Sequence, residues 1–199
     1  LCPQPMNESD LMTGPLEPTN AAYATAKLTG MQLCQSYRSQ YNDPFIVAIP
    51  TNVFGPGDKF DPENSHVVAS LMRRMDDAKA SGEKSIDVWG SGAPRREFMS
   101  VRDMARGCEF MINHYEAIEP ANLGCGESLS IAELAHAIKE VVGFTGEIRF
   151  DTSKPDGMPE KVLDSSKLIG LGWKPEDSFA EALQATYEWY REHIQPARV

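Results

Sequence analysis

The sequence has few basic residues, no paired cysteines, no long apolar run and no glycine-rich phosphate loop. Its 19 Lys and Arg stand against 29 Asp and Glu, a net charge of −10. That field repels a phosphate backbone, so we expect no nucleic-acid partner. The four cysteines are scattered without a CxxC pair, so we expect neither a disulfide scaffold nor a metal site. We expect a reducing, cytoplasmic location. No stretch approaches the ~18 apolar residues of a membrane span, so no membrane partner is expected.

The first residues carry neither an initiating Met nor a secretory signal. The opening LCPQPMNESD lacks a basic region followed by an apolar one, which a signal peptide needs. Proline and polar residues through residue 20 indicate a loop. We therefore expect a chain that begins inside a loop, as a fragment of a longer protein would.

The residues that are present predict a mixed α/β fold in which helices and strands alternate. Asn20 is expected to cap a helix that runs to the Asn42-Asp43-Pro44 stop. The apolar run FIVAIP predicts a strand buried on both faces. The polar segment PTNVFGPGDKFDPENS, at 50–65, predicts a long loop outside the core. Further predictions are a helix at 66–82 and strands at 85–90, 96–101 and 147–155.

Three capping boxes predict helix starts, at Ser100–Asp103, Ser130–Glu133 and Ser178–Glu181. After the second box, apolar residues recur with helical spacing until Gly143, which predicts an amphipathic helix with a left-handed cap. The residues of this stripe are Ile131, Leu134, Ala135, Ile138 and Val142.

Tyr23 and Lys27 stand four residues apart on the first predicted helix, so their side chains leave the same face. A phenol with its pKa near 10 is a poor proton donor and acceptor at neutral pH. A neighbouring lysine favours the phenolate and makes acid–base catalysis feasible. The spacing alone also fits an ordinary pair on a helix surface, and that reading stays open at this point.

The order of motifs resembles the GDP-L-fucose synthases, a family of extended short-chain dehydrogenases/reductases. The segments that carry the resemblance, in register from about Gln4 to Tyr190, are LEPTNAAYATAKLTG, IPTNVFGPGDKF, ENSHVVASLMRR, VWGSGAPRREFMSVRDMA, KPDGMPEKVLD and LGW. The resemblance implies the carboxyl-terminal portion of an NAD(P)-binding Rossmann-type protein together with a smaller mixed α/β substrate domain. Residues 1–55 would belong to the cofactor domain and 56–199 mainly to the sugar-nucleotide domain, with short segments returning to the first.

The family's reaction supplies roles for particular residues. The resemblance implies epimerisation at C3 and C5 of GDP-4-keto-6-deoxy-D-mannose, followed by NADPH-dependent reduction at C4. Tyr23 would protonate the C4 oxygen, and Lys27 would bind the nicotinamide ribose. His66 would be the acid/base for epimerisation, working opposite a family cysteine that these 199 residues do not contain. These three residues would contact NADP together with Pro50, Thr51, Asn52 and Val53. Without the resemblance, an exposed histidine at a helix start is the favoured interpretation of His66.

The resemblance also implies a substrate side, and a homodimer for the full-length enzyme. Arg74 and Arg96 would bind the diphosphate, since a guanidinium offers paired donors to phosphate oxygens. Trp89 would pack on the substrate, and Asp156 would accept hydrogen bonds from it. In the alternative reading, the neighbouring Arg73 and Arg95 lie on a solvated surface, and Trp89 belongs to the core. Glu160 stands where the family is usually basic.

Two alternatives remain open from the sequence. One is another nucleotide-sugar epimerase, dehydratase or reductase of the same superfamily, and the other is a non-catalytic module that binds sugar nucleotides. His66 separates the first from a GDP-L-fucose synthase, because a simple 4-epimerase needs no acid/base group at C3 and C5. The presence of Tyr23, Lys27 and His66 together argues against the second, a non-catalytic module.

Overall fold

The computed structural model describes residues 2–61 and 64–195 and has the α/β fold expected from the sequence. The helices are α1 Ala21–Tyr41, α2 Val67–Ser81, α3 Val101–His114, α4 Ile131–Val142, α5 Ser166–Gly170 and α6 Phe179–His193. The strands are β1 Ala48–Pro50, β2 Asn52–Phe54, β3 Ser85–Trp89, β4 Arg95–Ser100, β5 Ala121–Leu123, β6 Ser128–Ser130, β7 Glu147–Asp151 and β8 Glu160–Lys161. Two short 3-10 helices, Glu8–Asp10 and Pro18–Asn20, interrupt the opening loop.

Strand β4 is the centre of the largest sheet. It pairs in parallel with β2 and β8 and antiparallel with β6. The other two pairs, β1 with β5 and β3 with β7, are both parallel. Consecutive parallel strands need crossover connections, and the helices between the strands provide them. The strands at 85–90 and 96–101 were predicted correctly, and each pairs with partners distant in the sequence.

The expectation of a strand at 45–50 buried on both faces was wrong. Only Ala48–Pro50 is extended in a ladder, and its burial is partial. Within the described residues β1 has one neighbour, β5, so its other edge is unpaired. Parallel strands are uniformly apolar where helices cover both of their faces, and the partial burial of β1 shows that such covering is incomplete within the described residues.

The prediction that 50–65 is a polar loop outside the core was also wrong in part. Strand β2 lies inside this segment, and Phe54 and Phe60 are almost fully buried. The ring centroid of Phe60 lies 4.7 Å from that of Tyr190 and 6.2 Å from that of Trp189. The segment therefore contributes two aromatic side chains to the core against α6.

Two hydrophobic clusters hold the fold together. The first packs α2, α4 and α6 around β3 and the two phenylalanines of the 50–65 segment. The second joins α3 and α5 to β1 and β5 and includes Trp173, whose Nε1 donates to the Gly124 carbonyl at 3.2 Å. Strand β4 lies between them, since Phe98 belongs to the first cluster and Met99 to the second.

The helix starts follow the sequence, although two of the predicted capping boxes are incomplete. Ser130 and Glu133 form a full reciprocal box. The Ser100 and Ser178 hydroxyls each accept the expected backbone N–H, but the reciprocal bonds from Asp103 and Glu181 to the cap N–H groups are not formed. The Asp103 carboxylate instead accepts hydrogen bonds from the backbone N–H groups of Glu176 and Asp177. At α1, Asn20 is the first flanking residue but makes no side-chain cap.

Helix α1 differs from the other helices because none of its 21 residues is buried. It is attached through Arg38, which donates to the carbonyls of Phe45 and Glu116, and through Gln35, which reaches the Ile118 carbonyl. Large side chains on it remain exposed, namely Tyr23, Leu33, Tyr37 and Tyr41. A helix with such a surface is normally stabilised by packing against a partner.

Candidate active site

Tyr23 and Lys27 lie within the first two turns of α1 and point to the same side. The Lys27 Nζ atom is 5.4 Å from the centroid of the Tyr23 ring. The Tyr23 side chain is 61% exposed, so its hydroxyl is open to a bound molecule. The shared face that the spacing predicted is confirmed, and the pair has the geometry of a phenol with an adjacent cation.

Residues 50–53 span the β1–β2 turn: Pro50 is the carboxyl end of β1, Thr51 lies between the strands, and Asn52 and Val53 begin β2. Pro50 is exposed, and the Thr51 N–H donates to the Leu123 carbonyl at 3.1 Å. The side chains of Thr51 and Asn52 both donate to the Glu97 carbonyl, at 3.1 and 2.8 Å. These side chains therefore fix the turn against β4, and Pro50 is left facing solvent at the edge where open α/β sheets bind ligands.

His66 is the cap residue of α2, and its side chain makes no cap hydrogen bond. The residue is exposed, while the helix behind it is anchored by buried Val68, Leu71 and Met72. The His66 imidazole is therefore exposed to solvent at the start of a helix that is fixed in the core. Among the described residues, no hydrogen bond or ion pair joins His66 to Tyr23 or Lys27.

Arg74 lies two turns after His66 on α2. It is exposed, and its Nη2 donates to the Asp87 carbonyl on β3. Its neighbour Arg73 is half-buried, donates to the Phe60 carbonyl and lies 3.7 Å from the Asp77 carboxylate. Arg73 is therefore a structural residue, and Arg74 is the member of the pair with more guanidinium surface open to solvent.

Trp89 ends β3 and is 72% exposed, which contradicts the alternative that it belongs to the core. The Lys154 Nζ lies 5.7 Å from the ring centroid, a cation–π arrangement. Because β3 pairs with β7 along its whole length, the indole projects from a paired strand and presents a flat apolar face.

Asp156 bridges the segment after β7 to the turn after β3. Its carboxylate accepts from the Ser91 N–H at 2.8 Å and from the Ser91 hydroxyl at 2.7 Å. The hydroxyl and the N–H of Ser91 hold the pKa of Asp156 below its usual range. Gly90 has φ +83°, and a Cβ there would lie 2.4 Å from the Asp156 Oδ1, so the turn requires glycine. Sequence reasoning missed Ser91, whose place between two glycines marks only a turn.

Arg96 is the half-buried cation of the site. Its Nη1 donates to the carbonyls of Arg95 and Met158, both at 2.7 Å. Its Nε and Nη2 make no hydrogen bond within residues 2–61 and 64–195. Partial burial lowers the pKa of Arg96, although a guanidinium remains charged at neutral pH. The Arg96 guanidinium therefore keeps the N–H donors of Nε and Nη2 available for an anion.

Arg95 serves as the contrast to Arg96 on the same strand. Its Nε and Nη2 donate to Ser128, and its Nη1 reaches the Glu133 carboxylate at 3.3 Å. All three guanidinium nitrogens are thus engaged inside the protein. Adjacent strand residues point to opposite faces, which accounts for the different surroundings of the two arginines.

Cys125 is a poor candidate for nucleophilic chemistry at this site. Its Sγ lies 3.3 Å from the Phe98 carbonyl, and burial raises the pKa of the thiol to about 11. The thiolate is the reactive form, and it is scarce at neutral pH. Within the described parts of the chain, no group of three His, Cys, Asp or Glu side chains is placed to hold a metal ion.

The family model and the similar proteins identify the same family. The model of the NAD dependent epimerase/dehydratase family matches residues 2–126. The chain belongs to the NAD dependent epimerase/dehydratase family. GDP-L-fucose synthase 1 of Arabidopsis thaliana is 49% identical over 192 residues, which are 96% of this chain and 59% of that protein. The GDP-L-fucose synthase of Escherichia coli K12 is 44% identical over 97% of this chain and 63% of its own length.

A solved structure of the same kind superposes closely. The GDP-L-fucose synthetase of Naegleria fowleri bound to NADP has a TM-score of 0.91 and 34% identity, over 99% of this chain and 64% of that one. The chain thus spans about three fifths of the length of the epimerase/dehydratase relatives it matches. In the described ranges, no helix combines the length and apolar composition needed to cross a bilayer.

Proposed function

We propose that this chain supplies the catalytic helix and the substrate-binding part of an NADPH-dependent GDP-L-fucose synthase. The observation that carries the proposal is an exposed Tyr23–Lys27 pair together with an exposed His66, in a chain 44–49% identical to proteins of that name. The substrate would be GDP-4-keto-6-deoxy-D-mannose and the product GDP-L-fucose.

Reduction at C4 requires a proton for the developing alkoxide. Tyr23 would donate it from its exposed hydroxyl, and Lys27, 5.4 Å from the ring, would stabilise the phenolate that remains. NADPH, when bound, supplies the hydride. A positioned acid of this kind contributes about 10²–10⁴-fold in rate.

Epimerisation requires proton removal and return at C3 and C5. Both carbons flank the C4 ketone, so the carbanion formed at either one is stabilised as an enolate. His66 would act as the acid/base on one face of the sugar, since an imidazole nitrogen can both accept and donate a proton. Inversion requires a second acid/base on the opposite face, and we propose that another segment of the complete protein supplies it. The place of His66 as the cap residue of α2, with no internal cap hydrogen bond, leaves the imidazole free for that work.

The residues present fit the nicotinamide end of NADP. The turn at Pro50–Val53 lies at the carboxyl end of a parallel strand, and its backbone is fixed by the Thr51 and Asn52 bonds to Glu97. Tyr23 and Lys27 offer a hydroxyl and a cation for the ribose. The 199 residues contain no glycine-rich loop for the pyrophosphate, so we propose that another segment of the complete protein binds that group.

The diphosphate and sugar would lie between α2 and the ends of β3 and β4. Arg74 and Arg96 would bind phosphate oxygens with their open guanidinium edges. Trp89 would pack its exposed face on the substrate, and Asp156, held by Ser91, would border the sugar. These four roles stand as proposals from the sequence resemblance and the exposure of the side chains.

We also propose a division into two domains and a homodimer. The two hydrophobic clusters support a cofactor part containing residues 1–55 and a substrate part containing mainly 56–199, with α3, β5 and α5 returning to the first. The exposed aromatic residues of α1 support its burial against further protein.

The cysteines of the described chain are all free thiols, which supports a cytoplasmic location. We propose no nucleic-acid or membrane partner.

Proton exchange in heavy water tests the proposal directly. The complete protein containing this chain should incorporate deuterium at C3 and C5 of GDP-4-keto-6-deoxy-D-mannose and oxidise NADPH. His66→Gln should lose exchange, whereas the matched control His136→Gln, on the exposed side of α4, should keep it. Reduction without exchange in the wild-type protein would contradict the proposal. It would favour a GDP-sugar C4 reductase, the class named for a Campylobacter jejuni neighbour, GDP-mannoheptose C4 reductase, which has a TM-score of 0.82 and 28% identity.

A further inference from the structure

Glu97 is the most completely buried charged side chain among the described residues, with 0% of its surface exposed. It lies on β4 directly after Arg96. Charged residues are almost never fully buried unless they are paired. No Lys, Arg or His of residues 2–61 and 64–195 lies within ion-pair distance of it, so its partners must be of another kind.

The Glu97 carboxylate accepts hydrogen bonds from three backbone N–H groups. Oε1 accepts from Cys125 at 2.5 Å and from Gly126 at 2.9 Å, and Oε2 accepts from Leu163 at 3.1 Å. Several backbone donors stabilise a carboxylate in place of a cation. Gly124 permits the approach, because a Cβ there would lie 2.3 Å from Oε1.

The Leu163 bond ties β4 to the segment that carries the substrate-side residues. Residues 154–163 contain Asp156 and pass along β4, where the Arg95 N–H donates to the Pro159 carbonyl at 2.8 Å and Arg96 reaches the Met158 carbonyl. Glu97 makes the bond at the far end of this segment. Its backbone carbonyl at the same time accepts from the side chains at the β1–β2 turn.

We infer that Glu97 is a positioning residue for the GDP-sugar side of the site, an inference that rests on the proposed function. Its carboxylate holds residues 154–163 and the 125–126 turn against β4. The Arg96 guanidinium and the Asp156–Ser91 bridge thereby keep their relative positions. Glu97 itself is fully buried, so it would act through these segments and not by contact with the GDP-sugar.

Glu97→Gln in the complete protein tests this inference. The glutamine amide oxygen can replace Oε1, but its NH₂ group then faces the Leu163 N–H, donor against donor. Calorimetric titration should show the Kd for GDP raised about tenfold or more, with the Kd for NADP changed by less than about twofold. Hydrogen exchange at Leu163 should become faster. Val142→Ala, a buried change at the end of α4, is the control for stability loss alone, and it should weaken neither ligand selectively.

Each outcome separates the inference from the proposed function. If the wild-type protein fails to bind GDP, the proposed function is wrong and the inference with it. If the wild-type protein binds GDP and Glu97→Gln binds it equally well, or weakens both ligands equally, only the inference is overturned. If Glu97→Gln does not fold, Glu97→Asp, which keeps the charge with one methylene less, carries the same test and should show the same selective loss for GDP.

Discussion

Removal of the Arg96 side chain should weaken the binding of GDP without preventing folding. The guanidinium keeps Nε and Nη2 free of internal hydrogen bonds in the described chain, while Nη1 is held by two carbonyls. An anion would therefore meet an oriented fork whose position is already fixed. Arg96→Ala deletes that fork and its charge together.

The size of the effect follows from the kind of bond lost. A hydrogen bond to a charged group contributes about 1.5–3 kcal/mol, and each ~1.4 kcal/mol is tenfold in affinity. We therefore expect the Kd for GDP to rise about tenfold to hundredfold in the complete protein. Because Arg96 is only half-buried, high salt should weaken wild-type binding and reduce the difference between the two proteins.

Calorimetric titration of GDP measures this change, and the neighbouring arginine provides the control. Arg95 is on the same strand, but its nitrogens already bond Ser128 and Glu133. Arg95→Ala should leave the Kd for GDP within about twofold of the wild-type value. An unchanged Kd in Arg96→Ala, or equal losses in both variants, would refute the assignment of Arg96 to the diphosphate.

Three further predictions address the chemistry and the stability. Tyr23→Phe in the complete protein should lose about 10²–10⁴-fold in NADPH oxidation and keep deuterium exchange at C3 and C5; equal loss of both in mass spectrometry would show that the roles are not separable. The isolated 199-residue chain should not oxidise NADPH in the presence of substrate, since it lacks the pyrophosphate loop, and turnover by the pure chain would contradict this. Stability should fall as the pH drops below about 4 through the lowered pKa of Asp177. Burial alone would raise that pKa, but bonds from Arg106 and Ser100 outweigh it. Urea unfolding should show a flatter acid limb in Asp177→Asn, and an identical limb would exclude this carboxyl.

Local patterns accounted for most of the helices. The stripe from Ile131 to Val142 predicted α4, and its capping box and Gly143 cap are present as expected. These signals act over three or four residues, so they can be read directly from the sequence. The i, i+4 geometry of Tyr23 and Lys27 was predictable for the same reason.

Features that depend on distant contacts could not be predicted in this way. Phe60 lies in a segment of polar composition and is buried only because α6, about 130 residues later, covers it. The partner of Asp156 is Ser91, 65 residues earlier. The Glu97 carboxylate accepts from the N–H groups of Cys125 and Leu163, 28 and 66 residues later. Nothing in the local sequence RREFMS indicates that this glutamate is buried or which groups it contacts.

Product stereochemistry tests the central claim most directly. The complete protein should be incubated with GDP-4-keto-6-deoxy-D-mannose and NADPH, and the sugar nucleotide identified by NMR. The account predicts GDP-L-fucose, with inverted configuration at C3 and C5 and a hydroxyl at C4. A GDP-6-deoxyhexose that keeps the original configuration at C3 and C5 would contradict it, because His66 would then have no role in proton exchange.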